Sequence, residues 1–169
     1  MVRYGILATV LMLSIACGSS PSSPTGSIGS SGSGGSTSGK GTLTTTIDGV
    51  AYTGVINVAT LTNGNLNITS NNSALTLSVS FATSGAAVGT TTINAASPMQ
   101  MQVITTNGST ATGVWFASAV GGSGTLTITS LTATGVSGTF SFVAVASPTS
   151  PLPVAGTKTV TSGTFSATF

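Results

Sequence analysis

The sequence predicts an all-β domain, an antiparallel meander of about ten short strands that closes as a sandwich or a flattened barrel. Three observations carry that expectation. Apolar residues alternate with Thr and Ser through most of the chain, the period-two pattern of a half-buried strand. The polar partners are dominated by Thr, which with Val favours extended backbone. The chain also contains 23 glycines, several in Asp-Gly and Asn-Gly pairs that mark tight turns.

The N-terminus reads as an export signal. Met1 to Tyr4 carries one positive charge, on Arg3, and Gly5 to Ile15 (GILATVLMLSI) is apolar. A run of this length suits a secretory h-region and falls short of the roughly 18 residues a membrane-spanning helix needs. Ser14-Ile-Ala16 fits ordinary signal peptidase cleavage before Cys17, the sole cysteine. Leu13-Ser-Ile-Ala-Cys17 also resembles the lipobox of bacterial lipoproteins, in which a small residue precedes a cysteine that becomes diacylated. It departs from that pattern in having Ser14, not Leu or Val, three residues before the cysteine. With no second thiol, an internal disulfide is impossible, and a free thiol suits an oxidising compartment poorly. Lipidation of Cys17, with residues 1–16 removed as a signal peptide, is therefore the expectation. The resemblance also implies an outer-membrane address, because Gly18 stands where an inner-membrane retention signal would have Asp.

Residues 17–40 then form the acylated cysteine and a tether. Gly18 to Lys40 is almost wholly Gly, Ser, Thr and Pro, with one isolated Ile. Nothing in it can bury a core, so disorder is expected, with an r.m.s. span on the order of 25–30 Å.

Residues 41–169 hold the strands. Gly41 to Ile47 sets Leu43, Thr45 and Ile47 on one face, and Asp48-Gly49 turns the chain into Val50-Ala-Tyr52. Val55 to Thr62 and Asn65 to Thr69 flank Asn63-Gly64, a hairpin signal because both residues tolerate positive φ. Ser73 to Phe81 alternates most clearly, with Leu75, Leu77, Val79 and Phe81 on one face. Gly89 to Asn94, Met99 to Val103, a turn at Asn107-Gly108, and Thr112 to Val120 with the sole tryptophan, Trp115, follow. The last third repeats one phrase, as Gly124-Thr-Leu, Gly138-Thr-Phe and Gly163-Thr-Phe, matching Gly41-Thr-Leu near the start. In each the glycine is expected to close a turn, Thr to begin the polar face and Leu or Phe the buried one. Pro148, Pro151 and Pro153 mark a loop. The predicted core comprises Leu43, Ile47, Leu66, Ile68, Leu75, Leu77, Val79, Phe81, Met101, Val103, Phe116, Leu126, Ile128, Phe140, Phe142, Phe165 and Phe169.

The ordering of lipobox, Ser/Gly tether and strand phrases from Gly41 to Phe169 resembles the uncharacterised β-rich domains of bacterial lipoproteins, classed as domains of unknown function. The resemblance implies a lipid-anchored envelope protein and brings no catalytic residues with it. This chain departs from the pattern in its low charge and extreme Thr and Ser content.

Composition narrows function further. Charged residues are 2% of the chain, against a usual share of about 25%. They are Arg3, Lys40, Asp48 and Lys158, with no His and no Glu. One carboxylate and no imidazole leave no paired-carboxylate or Ser-His-Asp chemistry, so no enzyme is expected. The same poverty leaves no ligand set for a metal, calls for no cofactor, and supplies too few cations to neutralise nucleic-acid phosphates. Lys40 and Lys158 are expected in solvent. The leading expectation is a non-enzymatic envelope protein, held on a membrane by its lipid, that binds an envelope partner or plays a structural part. A glycan-binding module is an alternative, with Trp115 and Tyr52 stacking on a pyranose unless both rings lie in the core. Others are a self-associating adhesive module, with little Lys to guard sheet edges, or a small outer-membrane barrel, although its strands would be short and poor in aromatics. Irregular spacing of the Thr-x-Thr pairs disfavours an ice-binding face.

Overall fold

In a computed structural model, residues 40–74, 77–94, 96–147, 152 and 154–169 are described. Cys17 and most of the expected tether lie outside these residues, as do Leu75 and the three loop prolines Pro148, Pro151 and Pro153. Ten strands are formed: β1 Gly41–Ile47, β2 Val50–Thr62, β3 Asn65–Asn71, β4 Leu77–Thr83, β5 Gly89–Thr92, β6 Gln100–Asn107, β7 Thr110–Ala117, β8 Ser123–Leu131, β9 Gly135–Ala146 and β10 Thr157–Thr168. All pair antiparallel in one sheet of order β10-β1-β2-β3-β4-β6-β7-β9-β8-β5. A further β9–β10 pairing closes eight of the strands into a ring, with β8 and β5 branching from β9. The ring is flattened. Phe81 on β4 meets Phe165 on β10 at 4.9 Å between centroids and Phe140 on β9 at 5.7 Å, although β4 pairs with neither strand.

Turn chemistry sets the first hairpins. Asp48 and Gly49 (φ 51° and 83°) and Asn63 and Gly64 (φ 53° and 76°) are each left-handed at both central positions, the geometry whose twist suits a two-residue hairpin. The meander breaks once. After β4 the chain leaves its neighbour, Ala86 N–H bonding the Gly64 carbonyl at 2.9 Å, and β5 joins the outer edge of β8 before β6 returns to β4.

Most of the predicted core is buried: Leu43, Ile47, Leu66, Ile68, Val79, Phe81, Met101, Val103, Leu126, Ile128, Phe140, Phe142 and Phe165. Leu77 and Phe169 are half-buried against it. Three details differ from the sequence reading. Val50–Thr62 is one bent strand rather than two, because a bulge between Ile56 and Val58 shifts the inward side from Tyr52, Gly54 and Ile56 to Ala59. On β7 the inward residues are Gly113, Trp115 and Ala117, leaving Phe116 half-buried. Val114-Trp-Phe116 is apolar on both faces, so alternation did not decide its phase. Packing does, since the indole lies over Gly113, where a Cβ would come within 2.6 Å of the ring.

The third difference concerns the repeated phrase. Gly138 and Gly163 lie inside β9 and β10, facing the core, rather than at turns. They pair reciprocally with the rings: Gly163 opposite Phe140, Thr164 opposite Thr139, Phe165 opposite Gly138. A Cβ on Gly163 would stand 2.6 Å from the Phe140 ring, and one on Gly138 would stand 2.9 Å from the Phe165 ring. The Phe140 ring alone fills the space at Gly163, whereas at Gly138 the Thr127 carbonyl of β8 crowds the position more closely than the Phe165 ring does.

The outer faces carry hydroxyls. Thr53, Thr44, Thr164, Thr139, Thr127 and Thr90 are successive cross-strand partners on β2, β1, β10, β9, β8 and β5. Spacings that are irregular along the chain thus become one row in space. A twist of roughly 20–25° per strand turns the row through a large angle, so it is not a plane.

Candidate functional site

The two candidate rings, Tyr52 and Trp115, come together with Asp48 and Lys158 at one end of the closed sheet. β1 starts beside the end of β10, Lys40 accepting from Thr168 N–H at 2.7 Å, and runs to the Asp48-Gly49 turn beside the start of β10. Lys40 and this cluster therefore lie at opposite ends of β1, about 23 Å apart by strand rise. A cavity of about 280 Å³ opens under the turn, lined by Ile47, Asp48, Tyr52, Leu77, Thr105 and Lys158, among others.

Asp48 organises the end. Its Oδ2 accepts from Lys158 Nζ and its Oδ1 from Thr159 N–H, both at 2.8 Å, while its own N–H donates to the Thr159 carbonyl at 2.8 Å. The Lys158 hydrogen bond, then that of Thr159, hold the carboxyl below its ordinary value of 3.8. Lys158 also lies over the Trp115 ring, 5.1 Å from its centroid, within cation–π range. Lys158 is thus pinned rather than loose in solvent, its side chain 29% exposed and that of Asp48 40%. Lys40 is exposed, in line with the expectation, and also donates to the Ala59 carbonyl at 3.2 Å.

The two rings proposed for stacking are core residues. Tyr52 is 5% exposed and Trp115 9%. The Tyr52 hydroxyl donates to the Ser70 carbonyl and meets Ser70 Oγ, both at 3.1 Å, and Ser70 Oγ donates to the Val79 carbonyl at 3.1 Å. Burial raises the Tyr52 hydroxyl above its ordinary value of 10.0, partly offset by the Ser70 hydrogen bond. Trp115 Nε1 donates to the Ala155 carbonyl at 3.3 Å. Both rings belong to this end, Tyr52 lining the cavity and Trp115 reached through Lys158. Stacking on either would require uncovering it.

The Asp48–Lys158 pair was missed because its members are far apart in the sequence. A signal existed, since the only carboxylate of the chain has only three cations to choose from. Chemically the end is a clamp. No buried side-chain nitrogen or oxygen among the described residues lacks a partner, and no group of three His, Cys, Asp or Glu occurs among them.

No curated protein and no solved structure matches the chain. Residues 40–167 match the family model Domain of unknown function (DUF6252), a range from the head of β1 to the penultimate residue of β10. The expected kinship with β-rich domains of unknown function holds at that level. With more than half of its length matched, the chain belongs to the DUF6252 family.

Proposed function

We propose that this protein is a lipid-anchored, non-enzymatic component of a bacterial cell envelope, with the closed β-domain joined to a lipidated Cys17 by the Gly/Ser-rich segment between them. The observation that carries the reading is the order Ala16-Cys17-Gly18 at the end of the apolar run, then an uncharged Gly/Ser tract, then β1 from Gly41. Each buried CH₂ of an acyl chain contributes about 0.8 kcal/mol, so several chains hold a water-soluble domain on a bilayer. The outer membrane is the proposed address.

The surface supports an anchored domain better than a spanning one. A membrane barrel turns an apolar band outward. Here Leu43, Ile56, Phe81 and Phe165 point inward, and Thr44, Thr139 and Thr164 stand outside.

Mass spectrometry of the mature protein from its native membranes tests the anchor. The expected N-terminal peptide begins at Cys17 and carries acyl mass, and Cys17→Ala moves the protein to the soluble fraction. An unacylated N-terminus on a protein released into the medium would overturn the reading.

A further inference from the structure

We propose that the outer face of β5, β8, β9 and β10 carries a binding groove for a neutral saccharide, a site separate from Tyr52 and Trp115. The inference goes beyond the lipid anchor and stands or falls apart from it. The groove is shallow and open, with a volume of about 360 Å³. Apolar atoms, with Phe142, Val143 and Val160 among their sources, make up most of its surface, and six hydroxyl-bearing residues from four neighbouring strands stand around it: Thr92, Ser123, Thr125, Ser141, Thr159 and Thr161.

Three features point to the ligand class. First, the hydroxyls are largely unspent. Thr125 and Ser141 bond each other at 3.2 Å, but among the described residues the hydroxyls of Thr92, Ser123, Thr159 and Thr161 have no protein partner. A hydroxyl both donates and accepts, which is what the hydroxyls of a sugar require. Second, no charged side chain lines the groove, and Lys158, next to Thr159, is committed to Asp48 and Trp115. An acidic saccharide would find no cation there. Val143, 37% exposed, supplies an apolar patch for the C–H face of a ring.

Third, the wall on β10 is built by an irregularity. Between Val160 and Gly163 the register with β9 shifts, and Ser162 takes φ 53°. A bulge re-aims the side chains beside it, and a serine held in left-handed backbone is an outlier of the kind that gathers at functional sites. This one turns β10 beside Thr161 and opposite Ser141, at the groove.

Full-length protein in detergent, titrated calorimetrically with maltohexaose, cellohexaose, mannohexaose and chitohexaose, tests the proposal, with an oligogalacturonate as acidic comparator. At least one neutral probe is expected to bind with a dissociation constant on the order of 1 mM or tighter. Thr125→Val/Ser141→Ala should weaken it about tenfold or more, and Thr92→Val on the edge strand should weaken it in the same direction. The control Thr44→Val/Thr164→Val, a hydroxyl pair at 2.8 Å on the same sheet outside the groove, should leave it within about twofold. Absence of binding by every neutral probe overturns the proposal. So does equal loss in groove and control variants, tighter binding of the oligogalacturonate, or a face occupied by a second copy, seen as a doubled mass that the groove variant abolishes.

Discussion

At the residue scale, Asp48 does two jobs that can be separated. Its backbone takes the left-handed conformation of a tight turn, and its carboxylate ties Lys158 and Thr159 into the end of the sheet. Asn tolerates the same backbone, so Asp48→Asn removes the charge and keeps the turn. The folded carboxyl titrates below its ordinary value of 3.8, which means the pair stabilises the fold above that value and the benefit fades as pH falls through the lower folded value. Because the group is well exposed, solvent screening keeps the effect to about 1 kcal/mol or less. Urea melts of wild type and D48N should therefore differ by that amount at pH 7 and converge at acid pH, and addition of salt should narrow the gap at pH 7. The turn was legible in the Asp-Gly dipeptide. The partner was not, because no local pattern links Asp48 to a lysine on the last strand.

At the scale of elements, the Gly-Thr-Phe phrases show how one motif serves two strands. Antiparallel pairing places each glycine under the phenyl of the other phrase, and the Thr between them points outward. Gly163→Ala puts a methyl 2.6 Å from a ring already in contact with Phe81, Phe142 and Phe165. Overpacking of this kind costs about 1–3 kcal/mol. If the cause is the ring, shrinking it must help: Gly163→Ala/Phe140→Leu should lose less stability than the sum of the two single variants in denaturant melts. Additive losses would place the cost elsewhere in the strand. The alternation of these segments was plain in the sequence, and so was their inward Phe. The role of these glycines is not legible locally, because a glycine before an alternating run looks the same whether it ends a loop or makes room for a ring.

At the scale of the whole molecule, closure is uneven. β9 and β10 share ten register pairs, whereas β7 and β9 share two, Trp115 with Ala146 and Phe116 with Val145. One further bond, from Ser147 N–H to the Val114 carbonyl at 3.1 Å, extends that seam. A junction with few ladder bonds opens at lower free energy than the ladder around it. Native-state hydrogen exchange should show the Ser147 amide exchanging at least about tenfold faster than the slowest amides of β9 and β10. Trp115 lies in this seam opposite Ala146, its Nε1 bonded to the Ala155 carbonyl and its ring under Lys158.

The sequence by itself determined the all-β class, the hairpins at Asp48-Gly49 and Asn63-Gly64, and the side of most strands that faces inward. These follow from local chemistry, namely the period of two, the positive φ that Asn, Asp and Gly accept, and the β preference of Thr and Val. Only the tertiary structure decided which strands meet. It sent β5 to the edge of β8, chose Trp115 over Phe116 for the core, paired Asp48 with Lys158, and gathered scattered threonines into a row and a groove. Each of these rests on contact between residues far apart in the chain, where the deciding quantity is the fit of one surface against another and no short-range pattern encodes it.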